Sequence, residues 1–390
     1  MSKSILPDPP GELKQLSHDL CTRLRAAMQE QGCISFRHYM EMALYEPGLG
    51  YYSAGLHKLG ETGDFVTAPE LGSLFAGCLA QQVEEVSGEV GGYQVLEVGA
   101  GTGKLAADLL NSLHESKLPE RYNILERSAD LQQVQRDRIA TEAPELARRV
   151  RWLDSPPKAP WQGILLANEV IDALAVERFQ IDDGSVMQLC VERTAKGFDW
   201  TTRPAEEPLL AAVHHLEKDV GRSFADGYRS EVQPHLGAWL KSLTSSLQRG
   251  LALFIDYGYP RSEYYSAERT DGTVMCHYRQ RAHDDVFFWP GLQDITSWVD
   301  FTALAEAADD CTLDVEGYTS QAMFLVGCGL DRVLAEQAAA SDDGGLAINA
   351  EVRQLTLPGM MGERFQVMGL SRGLEQPLSG FSPLDLRYRL

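Results

Sequence analysis

The stretch VLEVGAGTGKLAADLL, Val95 to Leu110, constrains the fold more than any other part of the 390-residue chain. An apolar run stops at glycines on alternate positions, Gly99, Gly101 and Gly103, and then resumes with helical spacing. That pattern is strand, turn and helix, and the glycines permit positive φ and a close approach of backbone to a ligand. Spacing then excludes two nucleotide-binding turns. A P-loop needs a glycine where Val98 stands and a Ser or Thr where Leu105 stands. The dinucleotide fingerprint needs its third glycine where Lys104 stands. What is left is Glu97 followed by G-x-G-x-G, or else a plain glycine-rich turn.

That turn with its acid resembles the first motif of Rossmann-like S-adenosylmethionine (SAM) methyltransferases. The chain around it reads as α/β. Tyr93–Val98, Tyr122–Glu126, Val150–Leu153, Gly163–Ala167, Leu251–Tyr257 and Thr312–Glu316 read as strands, with helical spacing between several of them, and Arg364–Leu370 as a last strand. Repeated strand–helix alternation implies a parallel sheet with right-handed crossovers. Ahead of it, Leu13–Gln29, Phe36–Leu44 and Glu70–Val86 have helical periodicity, so residues 1–90 are expected as a helical extension and 91–390 as the sheet domain. Between the fourth and fifth strands, a hairpin over Glu177–Thr202 around DDGS and a helix over Val232–Gln248 read as an α+β insertion of about residues 176–250. The loop from Tyr45 to Glu70 is too long for an idle connection and is expected to cover a ligand.

Bulk properties exclude several classes. No window approaches the roughly 18 consecutive apolar residues of a membrane span. The start MSKSILPDPPGELKQ has no signal-peptide core, and its acids and prolines argue against a transit peptide. Seven scattered cysteines with no C-x-x-C, and nine histidines with no H-E-x-x-H, suit a reducing cytosol and supply no metal ligand set, so a cytoplasmic protein without a metal is expected. A net charge of −21 repels nucleic acid and anionic membranes and favours a cationic partner, though solubility alone also accounts for it. Oligomeric state is not legible.

Ligands in open α/β sheets sit beyond the carboxyl ends of the strands. There the second strand ends at Glu126, a carboxylate placed to accept from ribose hydroxyls, and the third is followed by Asp154, a candidate for an adenine amino group. Each acid alone has the alternative of a solvated loop residue. The fourth strand runs into NEVIDAL: Asn168, Glu169 and Asp172. The two acids share a face if a helix begins there, and capping that helix is their other reading. Asp256 and Tyr257 close the fifth strand and are the next candidates for an acceptor pocket.

The segments GDFVTAPELG, VLEVGAGTGKLAADLL, NEVIDALAVERF, LFIDYGYPRSEYY, DITSWVDF and MGERFQVMGL, in this order, resemble the MidA family, from about Phe36 to Leu390. That family comprises bacterial proteins and a mitochondrial arginine methyltransferase that assists respiratory complex I assembly. The resemblance implies a SAM-dependent methyltransferase and, from the mitochondrial branch, methylation of protein arginine. It places Gly99, Gly101, Gly103, Glu97 and Glu126 against the cofactor, and Gly63, Asp64, Phe65 and Thr67 in a loop over it. Ala175 stands where proline is usual after the NE..DAL pattern, and Gly72 where serine is usual after TAPE. An arginine acceptor is a guanidinium, protonated at neutral pH, so carboxylates are needed to hold it and take its proton. Glu169 and Asp172, with Asn168 to orient, are the expected catalytic groups. A small-molecule methyltransferase, and an assembly factor or chaperone that binds SAM without turnover, are the alternative functions.

Overall fold

The computed structural model describes residues 6–54, 67–340 and 346–390, so Gly63, Asp64 and Phe65 lie outside the described residues. The chain divides into two compact units. The larger takes the described residues of Val66–Ile171, Leu236–Pro260 and Val299–Leu390. Its main strands are β1 (Gln94–Val98), β2 (Arg121–Leu125), β3 (Val150–Leu153), β4 (Trp161–Asn168), β5 (Leu247–Tyr259), β6 (Asp314–Ser320) and β7 (Phe365–Arg372), with a short strand, Val299–Asp300, paired to the end of β5. They lie in the order β3-β2-β1-β4-β5-β7-β6. From β3 to β5 every neighbouring pair is parallel; β7 runs antiparallel to both β5 and β6. The alternation in the sequence therefore becomes an α/β sheet as expected.

The central parallel strands β1, β4 and β5 are buried along most of their length, as strands covered on both faces must be. Helix α1 (Leu74–Val90), α2 (Lys104–Ser112) and α3 (Ala129–Glu142) precede or follow the first two strands. The core joins Leu79 and Val83 of α1, Leu109 of α2, Ile164 of β4 and Leu253 of β5. Strand order reverses between β1 and β4, so the loops leaving their carboxyl ends diverge and open a crevice there. At the opposite end, β1, β4 and β5 start in close backbone contact. Gln94 is level with Gly163, and Gly163 with Gly250, and both glycines have strongly positive φ, 140° and 142°. A Cβ on Gly163 would stand 1.9 Å from the Gln94 carbonyl oxygen, and one on Gly250 1.8 Å from that of Gly163.

The smaller unit takes the described residues of Met1–Phe65, with Asp172–His235 and Arg261–Trp298. Helices Gly11–Ala27 and Phe36–Tyr45 form where the periodicity places them. The hairpin around DDGS is present: Glu177–Asp182 pairs with Ser185–Thr194, and Asp183 and Gly184 turn with φ of 48° and 72°. Two positive φ values in a two-residue loop match the twist of the flanking strands. Gly197–Pro204, Arg229–Val232 and Cys33–Ser35 complete that antiparallel sheet. A second, three-stranded sheet joins Met275–Tyr278, Arg281–His283 and Asp294–Thr296.

This division departs from the expected one at 90/91. Helix α1 packs with the sheet because its inward face is almost wholly apolar. The helix expected over Val232–Gln248 is shorter, α4 (Leu236–Thr244), and belongs to the larger unit. Two parallel strands need a crossover, and α4 supplies the last leg of it into β5. The smaller unit also receives a segment after β5, Arg261–Trp298, that lies outside the expected insertion.

The glycine contact at the start of the sheet is directly testable. G250A adds a Cβ against backbone at a positive φ, and overpacking and strain together should cost about 2–6 kcal/mol of stability. Urea unfolding of the variant measures it.

Candidate functional site

The glycine turn lies at the switch point, and all three of its glycines have positive φ: 66° at Gly99, 53° at Gly101 and 84° at Gly103. A Cβ on Gly103 would stand 3.1 Å from Cα of Gln135 on α3, so the third glycine admits that helix. Gln135 is fully buried and binds three parts of the site. Its Nε2 donates to the Gly101 carbonyl at 2.9 Å and to Glu126 Oε2 at 3.3 Å. Its Oε1 accepts from Trp152 Nε1 at 2.8 Å, and Arg136 covers that ring 4.4 Å from its centroid. Gln135 is absent from the sequence-based candidates.

Two carboxylates flank the turn. Glu126 follows β2 and accepts from the Ser128 amide at 2.9 Å; burial raises its pKa, against the lowering effect of its hydrogen bonds from Ser128, Gln135 and Arg127. Glu97, on β1, is buried and accepts from the Tyr122 hydroxyl at 2.8 Å. Burial pushes its carboxyl up to about 7; the Tyr122 hydrogen bond opposes this and the Glu126 charge adds to it. Asp154 sits exposed in the bend after β3. Thr67 precedes a one-turn helix, Ala68–Leu71, whose Glu70 accepts from the Thr102 hydroxyl of the glycine turn.

The end of β4 is built by β5. Asp256 is buried, and its Oδ2 accepts from the amides of Val170 at 3.2 Å and Ile171 at 2.9 Å. Its Oδ1 accepts from the Tyr257 amide at 2.9 Å. Asp256 therefore shapes the turn after β4, a role the sequence did not suggest beside the expected one in an acceptor pocket. Glu169 donates its amide to the Ile255 carbonyl at 2.8 Å and takes φ of 53°, rare for a residue with a side chain. Asn168 Nδ2 donates to Glu169 Oε1 at 3.2 Å, while Asn168 Oδ1 is buried without a hydrogen-bond partner among the described residues. Tyr257 is half-buried and meets the Phe365 ring edge-on at 5.5 Å.

No helix begins after β4; residues 169–174 are bends and turns. Neither a shared helix face nor helix capping applies to Glu169 and Asp172. Asp172 belongs to the smaller unit, where it is buried and its carbonyl accepts from the Ser297 amide at 2.9 Å. Among the described residues, no helix is long and apolar enough to cross a membrane.

The crevice thus presents a glycine-rich backbone turn, two carboxylates and a buried amide oxygen without a donor among the described residues. That set fits a ligand rich in hydroxyl and amino donors, such as a nucleoside carrying an amino acid. The Glu97 environment has a measurable consequence. A carboxyl raised from its ordinary 4.5 to about 7 on folding favours the folded protein below pH 4.5, and that stability is lost as pH rises through 7. Over that window the wild type should lose a few kcal/mol relative to E97Q, read by urea unfolding from pH 4 to 8.

Comparison with known proteins gives this crevice its context. Residues 74–319, more than half of the chain, match the family described as "Putative S-adenosyl-L-methionine-dependent methyltransferase". The mitochondrial protein arginine methyltransferase NDUFAF7 of Danio rerio is 27% identical over 422 aligned residues, covering 95% of this chain and 94% of its own. The Homo sapiens protein of that name is 27% identical, covering 88% of this chain and 81% of its own. A crystal structure from Burkholderia thailandensis bound to S-adenosyl-homocysteine is 40% identical, with a TM-score of 0.93 over 99% of this chain and 100% of that one. The chain belongs to this family of α/β methyltransferases, and its cofactor is S-adenosyl-L-methionine.

Proposed function

We propose that this enzyme methylates arginine side chains of a protein substrate. The observation that carries the reading is the Asn168–Glu169 pair: a carboxylate fixed at positive φ beside a buried amide oxygen that accepts nothing among the described residues. A guanidinium offers five donors to such acceptors. The net charge of −21 favours a basic partner, and the relatives above carry arginine methylation in their names.

Bound SAM supplies an electrophilic methyl group on a sulfonium. The remaining work is alignment and proton handling by the protein. Gly99 and Gly101 leave room for the cofactor along the turn, Gly103 completes the turn where α3 packs against it, Glu126 accepts from the ribose hydroxyls and Asp154 from the adenine amino group. Glu97 supports the turn from β1. Thr67, with Gly63, Asp64 and Phe65 of the preceding loop, is assigned to cofactor contact on the family resemblance. Glu169 holds the guanidinium, directs one nitrogen and accepts the proton released as that nitrogen is methylated; Asn168 orients it. The same holding role is assigned to Asp172. Asp256 and Tyr257 support the acceptor end of the site.

The acceptor is tested by incubating the full-length enzyme with labelled SAM and cell extract. Methylarginine in a protein is expected; label confined to small molecules or to other residues overturns the reading.

Cofactor binding and chemistry are separable by mutation. G101V places a branched side chain at a φ of 53° and should abolish S-adenosyl-homocysteine binding. E126A should weaken it by about 1.5–3 kcal/mol, the worth of hydrogen bonds to a charged acceptor. Calorimetry measures both, and unchanged affinity removes the assignment. E169Q and D172N keep shape but lose charge, so cofactor affinity should hold while turnover falls about 10²–10⁴-fold. Wild-type turnover in both amides takes the catalytic role from these acids.

A further inference from the structure

Helix α3 spends one face on the ends of β1, β2 and β3, all within the larger unit. The backbone already ties those ends together. The Gly99 amide donates to the Leu125 carbonyl at 3.2 Å, and the Glu126 amide to the Leu153 carbonyl at 3.3 Å. The ladder thus continues one residue beyond β1 and β2, into the turn and the acid that follow them. Gln132, Gln135 and Arg136 stand three and four apart on α3 and so lie on neighbouring positions of one face.

Their side chains close a ring that begins and ends at Glu126. Gln132 Nε2 donates to the Glu126 carbonyl at 2.8 Å, and its Oε1 accepts from Arg136 Nη2 at 3.0 Å. Arg136 lies over the Trp152 ring, and the indole Nε1 donates to Gln135 Oε1. Gln135 Nε2 then donates to Glu126 Oε2 and to the Gly101 carbonyl. Glu126 is therefore held by its backbone at one point of the ring and by its carboxylate at another. A primary amide suits position 135 on all three counts. Its nitrogen has two hydrogens for two acceptors, and its oxygen takes the indole N–H. Turned over, it would set its oxygen against the carbonyl and the carboxylate, and its hydrogens against the indole N–H. The fully buried Gln135 amide thus has one orientation and donates in one direction.

We propose that Gln135 is a positioning residue for the cofactor: anchored by the Gly101 carbonyl and the Trp152 indole, it fixes the direction of the Glu126 carboxylate. The role rests on the assignment of Glu126 to the ribose hydroxyls. A free glutamate side chain samples many rotamers, and ordering it on binding costs affinity. A carboxylate aimed in advance avoids that cost.

The test is calorimetric titration of the full-length protein with S-adenosyl-homocysteine, at a temperature where circular dichroism shows each variant folded. Q135M keeps the length of the side chain and loses both its donors and its amide oxygen. It should lose at least about tenfold in affinity, the scale of a hydrogen bond to a charged group. In an E126A background the same substitution should cost less than about threefold, because the carboxylate it acts on is gone. Should Q135M fold poorly, W152F decides. It removes the indole N–H that orients the amide and keeps an aromatic ring under Arg136. Affinity should fall at least about threefold while the melting temperature of the free protein holds within a few degrees. Wild-type affinity in the folded variant makes Gln135 merely structural and overturns the proposal, as do equal losses for Q135M in the two backgrounds. Wild-type affinity in E126A rejects the ribose assignment of Glu126, and this role with it. A loss in E126A without one in Q135M leaves that assignment standing and rejects the role of Gln135 alone.

Discussion

The carboxyl end of the sheet at β4 and β5 depends on one buried carboxylate. A parallel strand that ends at a ligand crevice leaves its next backbone amides without a neighbour, and buried amides without acceptors are costly. Asp256 meets that demand by taking Val170, Ile171 and Tyr257 on its two oxygens. Hydrogen bonds to a charged acceptor are among the stronger ones. Two of these amides converge on one oxygen, so the chain turns after β4 and does not enter a helix. Glu169 is caught between this turn and its own bond to Ile255, which accounts for a backbone conformation costing about 1–3 kcal/mol.

Much of the larger unit is legible in the sequence because its signals are local. An apolar run that ends at glycines or at polar residues is readable as a strand and turn wherever its partners lie. Val95–Val98 and Ile164–Ala167 have that character, and their strands appear where expected. The hairpin at Asp183 and Gly184 is readable for the same reason, since its turn chemistry sits in consecutive residues. What sequence periodicity does not carry is adjacency. Asp256 reads as the polar end of a strand whether its oxygens face a ligand or the backbone of β4, and only the β4–β5 register decides between them.

Two other features are hidden for different physical reasons. The last segment of the smaller unit, Arg261–Trp298, has strands of three or four residues, too short for alternation to register as a pattern. Gln135 lies on a helix whose few apolar residues form no clear stripe, so nothing in the sequence marks a glutamine there as facing inward. Its importance arises where three remote groups converge, the Gly101 carbonyl, Glu126 and the Trp152 indole.

The neutrality of Gln135 matters for the carboxylate beside it. Glu97 and Glu126 are both shifted toward the protonated form by burial, and each carboxylate is sensed by its surroundings as a charge to be offset. An arginine at position 135 would relieve Glu126 fully, and its forked donors would occupy the carboxylate. The glutamine amide donates a single hydrogen bond there, at 3.3 Å. A carboxylate offers about four acceptor positions. The amides of Ser128 and Arg127 and the Gln135 side chain leave capacity unused, so a hydroxyl donor finds an anchored, incompletely satisfied acceptor. Partial satisfaction holds Glu126 in place and leaves a residual electrostatic demand that a further hydrogen-bond donor would meet.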